Sequence, residues 1–506
     1  RKGVFEMIKL EERRASIQPI KSKLKISILD DEDVEKINQT ALDILEEVGI
    51  FFPSEKALRI FADAGANVDF GKKIVKIPAH MATAYLKKAP RRYTLAGRRP
   101  ELDAKIGSEE GTYFYCSGEA AAIVDFKTGQ RRPTIKEDVG NMAKVADYFP
   151  MVSLVWPTVT SGDKGETAPI HGVEACFNNT EKHVQTESVM GETSAKYTIE
   201  MASVVAGGRD KLRERPVHSL LLCGIAPLSQ DKAGIESALA FAEAGLPVGF
   251  MSMPTMGLTA PPYQAGDLAI GLAEVLSGCI LLQIAYPGAP SYLCILPAVI
   301  NPRSGAYMYG SPFSQIASAA TVQLAHYNGI PVLSSFNFGG SAYKLNSWQV
   351  GFENMYVQLL SVMAGADMSF GPSGMIEASG LLNMPRILFD REVFQAIDII
   401  SDGIKVNSDT LAFDMIREIG PRGNFLAQRR TAKELPLLWP PSILFEKPEV
   451  PGEKYRDAEE VAHEAIEWIL KNHHSAPLDE KVKQELRRIV TAADQDENLK
   501  RELKEG

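Results

Sequence analysis

The stretch PVLSSFNFGGSAYKLNSWQVGFE, Pro331 to Glu353, holds the residues of this chain best placed to do chemistry. It opens as a short apolar run (Val332, Leu333, Phe336), breaks on Gly339-Gly340, and resumes with helical spacing at Trp348, Val350, Phe352 and Tyr356. A strand, a glycine turn and a helix put Phe336, Asn337 and Phe338 at the carboxyl end of a strand. Open α/β sheets and (β/α)8 barrels gather their functional groups there. The two glycines equally suit a plain chain reversal.

Other apolar runs, treated as strands of the same sheet, end on Trp156, Glu187 with Ser188, Pro227, Met253 with Pro254, Pro297, and Phe370 to Met375; Tyr115 and Tyr309 are neighbours. This inventory is rich in aromatics, Met and Pro. It contains no H-E-x-x-H, no nucleophile elbow and no closely spaced carboxylate pair. Among the eight histidines, His463, His473 and His474 fall in the tail, His80 near the N-terminus and His326 inside a helix. His183 and His218 fall at strand beginnings, which leaves His171 as the one able to approach the site. Such a pocket suits an apolar or cationic ligand better than a hydrolysis. A quaternary ammonium group has no N–H to donate, so π faces and a more distant carboxylate hold it. Glu187 is the strand-end carboxylate best placed for that. Taken singly, each aromatic also fits as filling for a barrel mouth.

The elements that must position these residues alternate from about residue 150 onward. Expected strands are Val152–Trp156, His183–Ser188, Ser219–Ile225, Val248–Met253, Tyr292–Leu296, Val332–Phe336 and Asp367–Phe370, with an eighth near Ile387–Phe389 or Tyr113–Cys116. Helical spacing follows each run. Several runs are continuously apolar, as parallel strands buried on both faces require. The pattern predicts an α/β protein with a (β/α)8 barrel, a doubly wound open sheet being second choice because no G-x-G-x-x-G or P-loop follows a strand. Residues 1–110 read as an N-terminal helical layer, 111–430 as the barrel, and 431–506 as an extended segment with C-terminal helices, a charged tail that is solvated or contacts another subunit.

Composition narrows the classes. The 506 residues are 45% hydrophobic and carry a formal charge of −9, with no basic stripe, so nucleic-acid binding is not expected. Five scattered cysteines without a C-x-x-C fit a reducing cytoplasm rather than a disulfide framework or zinc site. The first residues are charged and lack an apolar signal region. Residues 275–300 carry no charge, but Pro287, Gly288 and Pro290 split them into a buried helix and a buried strand, so no membrane span is expected.

Three stretches together resemble the trimethylamine methyltransferase family: AAAIVDFKTGQRRPTIKEDV (Ala120–Val139), GAYMYGSPFSQIASAATVQLAHYNGIP (Gly305–Pro331) and FGGSAYKLNSWQVGFENM (Phe338–Met355). The resemblance is to the branch without pyrrolysine, the glycine betaine type. Pyrrolysine-bearing members carry that residue in or beside the segment matching Phe336–Gly340, where every residue here is ordinary. The resemblance implies a (β/α)8 barrel that passes a methyl group from a methylated amine to the Co(I) corrinoid of a separate carrier protein. The mechanism expected on this reading is one of positioning with no assigned acid or base, and the apolar helices and charged tail point to a homo-oligomer. The chain lacks a D-x-H-x-x-G corrinoid motif and metal-ligand spacing, so no cofactor is expected to stay bound to it. On this reading Tyr115, Trp156, Tyr309, Phe336, Phe338 and Phe370 box a trimethylammonium group and Glu187 supplies a long-range field. Asn337 or Ser341 donates to a substrate carboxylate. A bulkier betaine (proline betaine, carnitine) as donor, or a protein that binds a quaternary amine without chemistry, remains open.

Overall fold

Continuously apolar strands need cover on both faces, and here they find it by closing into a ring. The computed structural model describes residues 10–187, 191–308, 310–334, 348–438, 442 and 456–505. Eight parallel strands form the ring: β1 (Tyr113–Cys116), β2 (Leu154–Val155), β3 (His183–Thr186), β4 (His218–Cys223), β5 (Val248–Ser252), β6 (Ser291–Ile295), β7 (Leu333–Ser334) and β8 (Met368–Phe370). Each pairs with the next in sequence, and Met368 beside Tyr113 joins β8 to β1. The β6–β7 seam is a single bridge, Leu293 to Val332, with the Leu293 N–H donating to the Pro331 carbonyl at 3.0 Å. The expected (β/α)8 barrel is therefore present.

Tyr113–Cys116 is the strand that completes the ring. Ile387–Phe389, the other candidate, begins a helix instead. Buried Ile387, Leu388, Asp390, Phe394 and Ile397 recur with helical rather than alternating spacing.

Upstream of the ring lie α1 (Asp31–Asp43), α2 (Glu55–Asp63) and α3 (Ala79–Leu86). The Asp30 carboxylate caps α1 by accepting the Asp33 N–H at 2.8 Å, which satisfies one of the orphan donors of the first turn. This layer also holds short antiparallel strands at Ile50–Phe51, Asn67–Asp69 and Ile74–Lys76. The barrel helices are α4 (Lys136–Tyr148), α5 (Ala168–Asn179), α6 (Glu192–Ala206), α7 (Arg209–Glu214), α8 (Lys232–Glu243), α9 (Gln264–Ala285), α10 (Pro312–Tyr327), α11 (Trp348–Ala364) and α12 (Ile387–Asp402).

The C-terminal tail packs on its own barrel. Helices α16 (Ala458–Asn472), α17 (Glu480–Gln495) and α18 (Glu497–Glu505) bury Ile466, Ile469, Leu486, Ile489 and Leu499. His473 in this tail donates its Nε2–H to the Asp147 carboxylate at 2.9 Å in a buried pair.

The uncharged run 275–300 divides as its prolines dictate, between α9 and β6. Helix α9 is long and apolar enough to cross a membrane by composition, yet 83% of its most apolar window is buried inside the protein. It packs between β5 and β6 on one side and α1 and α3 on the other. Its two acids have unequal surroundings. Glu274 accepts the Leu228 N–H at 2.6 Å and the Ser252 hydroxyl at 2.5 Å. Both Asp267 oxygens are buried without a partner. Burial, then the charge of Glu274, pushes the Asp267 carboxyl up to about 8.

The folded state thus binds a proton at Asp267 that the unfolded chain releases near pH 4. Stability then falls as pH rises from about 4 to about 8. Asp267→Asn is expected to melt above the wild type at alkaline pH, the gap closing toward acid. Parallel melting curves across that range would show the carboxyl is not buried neutral.

Candidate active site

Successive side chains on a strand alternate between faces, so His183, Gln185 and then Glu187 share the inner face of β3. The lower interior is filled. His183 Nε2 meets the Ser219 hydroxyl at 2.8 Å, and the Tyr292 hydroxyl donates to Gln185 Oε1 at 2.5 Å. Tyr115 stands in the same layer with its hydroxyl 3.6 Å from the Met368 sulfur. Gly249 leaves room for this packing, since a Cβ there would strike the Tyr292 ring.

One layer higher the strand ends form the mouth. Trp156 follows β2 directly, its ring centroid 5.9 Å from that of Phe370 at 82° and 6.3 Å from Tyr115. Edge-to-face packing of this kind presents the face of one ring and the rim of another to the same space. Trp156 Nε1, Ser117 Oγ and Thr158 Oγ1 are buried there without a hydrogen-bond partner. Buried donors and acceptors are rarely left unmade, so three together mark a place for a polar occupant or ordered water.

Two carboxylates complete the mouth. Burial, reinforced by the charge of Glu119, raises Glu187 to about 8. Glu119 lies three residues past β1 with φ 89°, in the left-handed region, and its N–H donates to the Thr158 carbonyl at 2.7 Å. A non-glycine residue held there costs of order 1–3 kcal/mol, and such residues cluster at functional sites. The neighbouring thiols of Cys223 and Cys294 are pushed far up, chiefly by burial, so neither is a thiolate nucleophile.

The structure thus brings Trp156, Phe370 and Glu187 to one mouth and sets Tyr115 one layer beneath it. Tyr309, Phe336, Asn337, Phe338 and Ser341 lie outside the described residues. His171 does not face the mouth. It sits on α5 with Nε2 2.9 Å from Asp494 and Nδ1 2.9 Å from Lys136, fastening the tail. His183 and His218 are buried at the strand starts, His218 against the Val184 carbonyl at 2.8 Å. Among the described residues, no three His, Cys, Asp or Glu side chains converge as a metal site would.

Sequence reasoning missed Glu119 and the carboxylate pair it forms with Glu187. The available signal was its place just past Tyr113–Cys116, a run that had a rival for the eighth strand.

Residues 6–496 match the family described as trimethylamine methyltransferase (MTTB). The chain belongs to that family. It is 33% identical to a trimethylamine methyltransferase, MttB, of Desulfitobacterium hafniense, over 94% of this chain and 95% of that one. It is 30% identical to a glycine betaine methyltransferase of Desulfitobacterium hafniense, over 81% and 84% of the two chains. Among solved structures, the Methanosarcina barkeri monomethylamine methyltransferase (MtmB) aligns with TM-score 0.44 and 12% identity, covering 91% of this chain and 96% of that one. The relatives in this family are named as methyltransferases, and the barrel mouth is the part of this fold that carries chemistry.

Glu119→Gly is expected to stabilise the fold by about 1 kcal/mol through relief of the left-handed strain. It should also lower the turnover of any cationic donor. A denaturant midpoint that falls instead would place the strain elsewhere.

Proposed function

We propose that this protein transfers a methyl group from a quaternary amine, glycine betaine first among them, to the Co(I) corrinoid of a partner protein. The observation that supports the reading is the edge-to-face Trp156–Phe370 pair at the strand ends, with the carboxylates Glu187 and Glu119 at the ends of neighbouring strands. Other histidines bond away from the mouth, His326 with Asp367 at 2.9 Å and His463 with the Phe126 carbonyl at 2.6 Å.

A quaternary amine matches that inventory. Its cation rests on ring faces at about 1–2 kcal/mol per desolvated contact and needs no hydrogen-bond donor. In the transfer, the Co(I) lone pair forms the Co–C bond as the C–N bond breaks. Nitrogen keeps the bonding pair and leaves as a neutral tertiary amine, so no proton moves. A tertiary amine would have to be protonated first. The ordinary residues at 336–340, where pyrrolysine-bearing relatives differ, support the same donor class. Catalysis then consists of holding one methyl in line and excluding water.

Access for a partner is consistent with the rim. Ile225, Leu258, Tyr263, Phe313 and Trp348 are exposed on strand-end loops and helix starts around one side of the mouth, Trp348 at 81%. Exposed apolar side chains at the strand-end side support a docking surface for that partner.

The test is methyl transfer to free cob(I)alamin, followed as methyl-cob(III)alamin absorbance, with glycine betaine, proline betaine, carnitine and trimethylamine as donors. Turnover of a quaternary amine and not of trimethylamine is expected. Turnover of trimethylamine alone would overturn the donor class. Silence with every donor, cognate corrinoid protein included, would favour a protein that binds without chemistry.

Charge gives a second prediction. The cation binds the ionised mouth, so kcat/KM should rise about tenfold per pH unit up to about 8 and level off above it. Glu187→Gln should flatten the profile. Trp156→Ala should raise KM roughly tenfold, with Trp156→Phe between the two. A profile already flat in the wild type would remove Glu187 as the charge partner.

A further inference from the structure

Beyond α12 the chain leaves the body as an arm. Helix α13 (Ser408–Leu411), α14 (Phe413–Ile419), a 3-10 turn at Phe425–Ala427 and α15 (Arg429–Glu434) follow one another, and none of them buries a single side chain. From Asp402 to Leu435 no residue is buried. The arm nevertheless has a definite shape, with the Arg430 guanidinium donating to the Asp409 carbonyl at 2.7 Å and tying α15 to α13. Isolated helices shorter than about 12–15 residues are marginal in water, so pieces of this length need cover.

The arm is also apolar where it is open. Ile404 is 90% exposed and Leu438 77%, with Val406, Phe413, Ile416 and Leu426 also exposed. Together with Ile399 and Ile400 at the end of α12, they present an area of order 1,000 Å² per copy. That exceeds the few hundred Å² tolerated on a monomer and meets the ~800 Å² per partner of a stable interface.

The arm's position decides what covers it. Its root is at the end of α12, where the Ser401 carbonyl accepts the Lys23 N–H at 2.8 Å. The same N-terminal segment pairs Ile20 with Thr112, just before β1, and Ile26 with Met363, at the end of α11. These are strand starts and helix ends, so the arm departs from the face opposite the mouth. A methyl acceptor has to reach the mouth and leaves this face free. The arm's charges are mixed in sign, with Asp409, Asp414 and Glu418 interspersed among Arg417, Arg429 and Arg430. A patch of this kind can meet its own copy across a two-fold axis without like-charge crowding.

We propose that the arm from Gly403 to Leu438 is the contact through which two copies of this chain associate. The reading stands independently of the methyl donor. Sedimentation velocity on the purified chain alone, with no partner protein, tests it. The wild type is expected to sediment as a dimer or a multiple of one at micromolar concentration. The triple variant Phe413→Glu, Ile416→Glu, Leu426→Glu is expected to weaken association by about 100-fold or more, its circular dichroism unchanged. A monomeric wild type, or a folded variant that associates as before, overturns the proposal. Should the variant not fold, hydrogen exchange on the wild type decides. Amides of residues 404–438 should lose protection on dilution through dissociation, and protection independent of concentration overturns it.

Discussion

Eight parallel strands escape an exposed edge when the last pairs with the first, and the joins Met368–Tyr113 and Leu293–Val332 achieve this. The ring then imposes its alternation on every side chain. Inward residues must fill the lumen, and Tyr115, Tyr292, Gln185 and His183 do so from the strand starts upward. A plugged lower lumen leaves the upper layer as the accessible interior. The approach to β2 is fixed by a buried cation: the Lys182 ammonium donates to the carbonyls of Ala146, Phe149 and Val152 at 2.9, 2.7 and 2.6 Å. That uses all three of its hydrogens. Burial pulls this lysine down to about 7 while Asp147 pulls it back up. The end of α4 and the start of β2 are thereby locked together, and Trp156 is delivered to the mouth in a set position.

Charge in that mouth is held in tension. Glu187 is desolvated and shares its surroundings with Glu119, so an empty mouth favours the protonated acid. A cation placed against the Trp156 and Phe370 rings reverses the preference, because it supplies the opposite charge that water supplied before burial. Under the proposed function, the desolvation penalty at Glu187 becomes selectivity for a permanent cation. Neutral amines recover none of it. The strain at Glu119 belongs to the same economy of function over stability.

Most of the barrel was legible in the sequence because continuous apolar runs such as Leu220–Leu222 and Leu293–Ile295 permit little else when flanked by helical spacing. β2 and β3 are shorter than the expected runs by three and two residues, while β1 and β6 keep the expected length. The strand-end positions of Trp156, Phe370 and Glu187 were readable because each lies at the carboxyl end of an unambiguous run. Glu119 was not, because two residues of loop (Ser117 and Gly118) separate it from β1 and its orientation is set by a left-handed backbone that no periodicity encodes. The tail misled for a related reason. Its charge density is real, but Asp494, Asp496 and His473 hydrogen-bond to the barrel, to His171, Tyr197 and Asp147.

That tail reaches the site by a second route. From His463, whose ring stacks on Phe126 at 3.9 Å, it passes down α16 to His473 and returns along α17 and α18. There the Glu502 carboxylate lies against Gly191 and accepts the Thr193 N–H at 3.1 Å. Gly191 has φ 92° and opens the helix that follows Glu187, with its own N–H held by the Ala233 carbonyl at 3.1 Å. A side chain at position 191 would displace Glu502. The start of α6 is thus held by Ala233 of α8 on one side and by Glu502 of the last helix on the other, so the C-terminal helix, farthest from the mouth in sequence, fastens the beginning of the helix that follows β3.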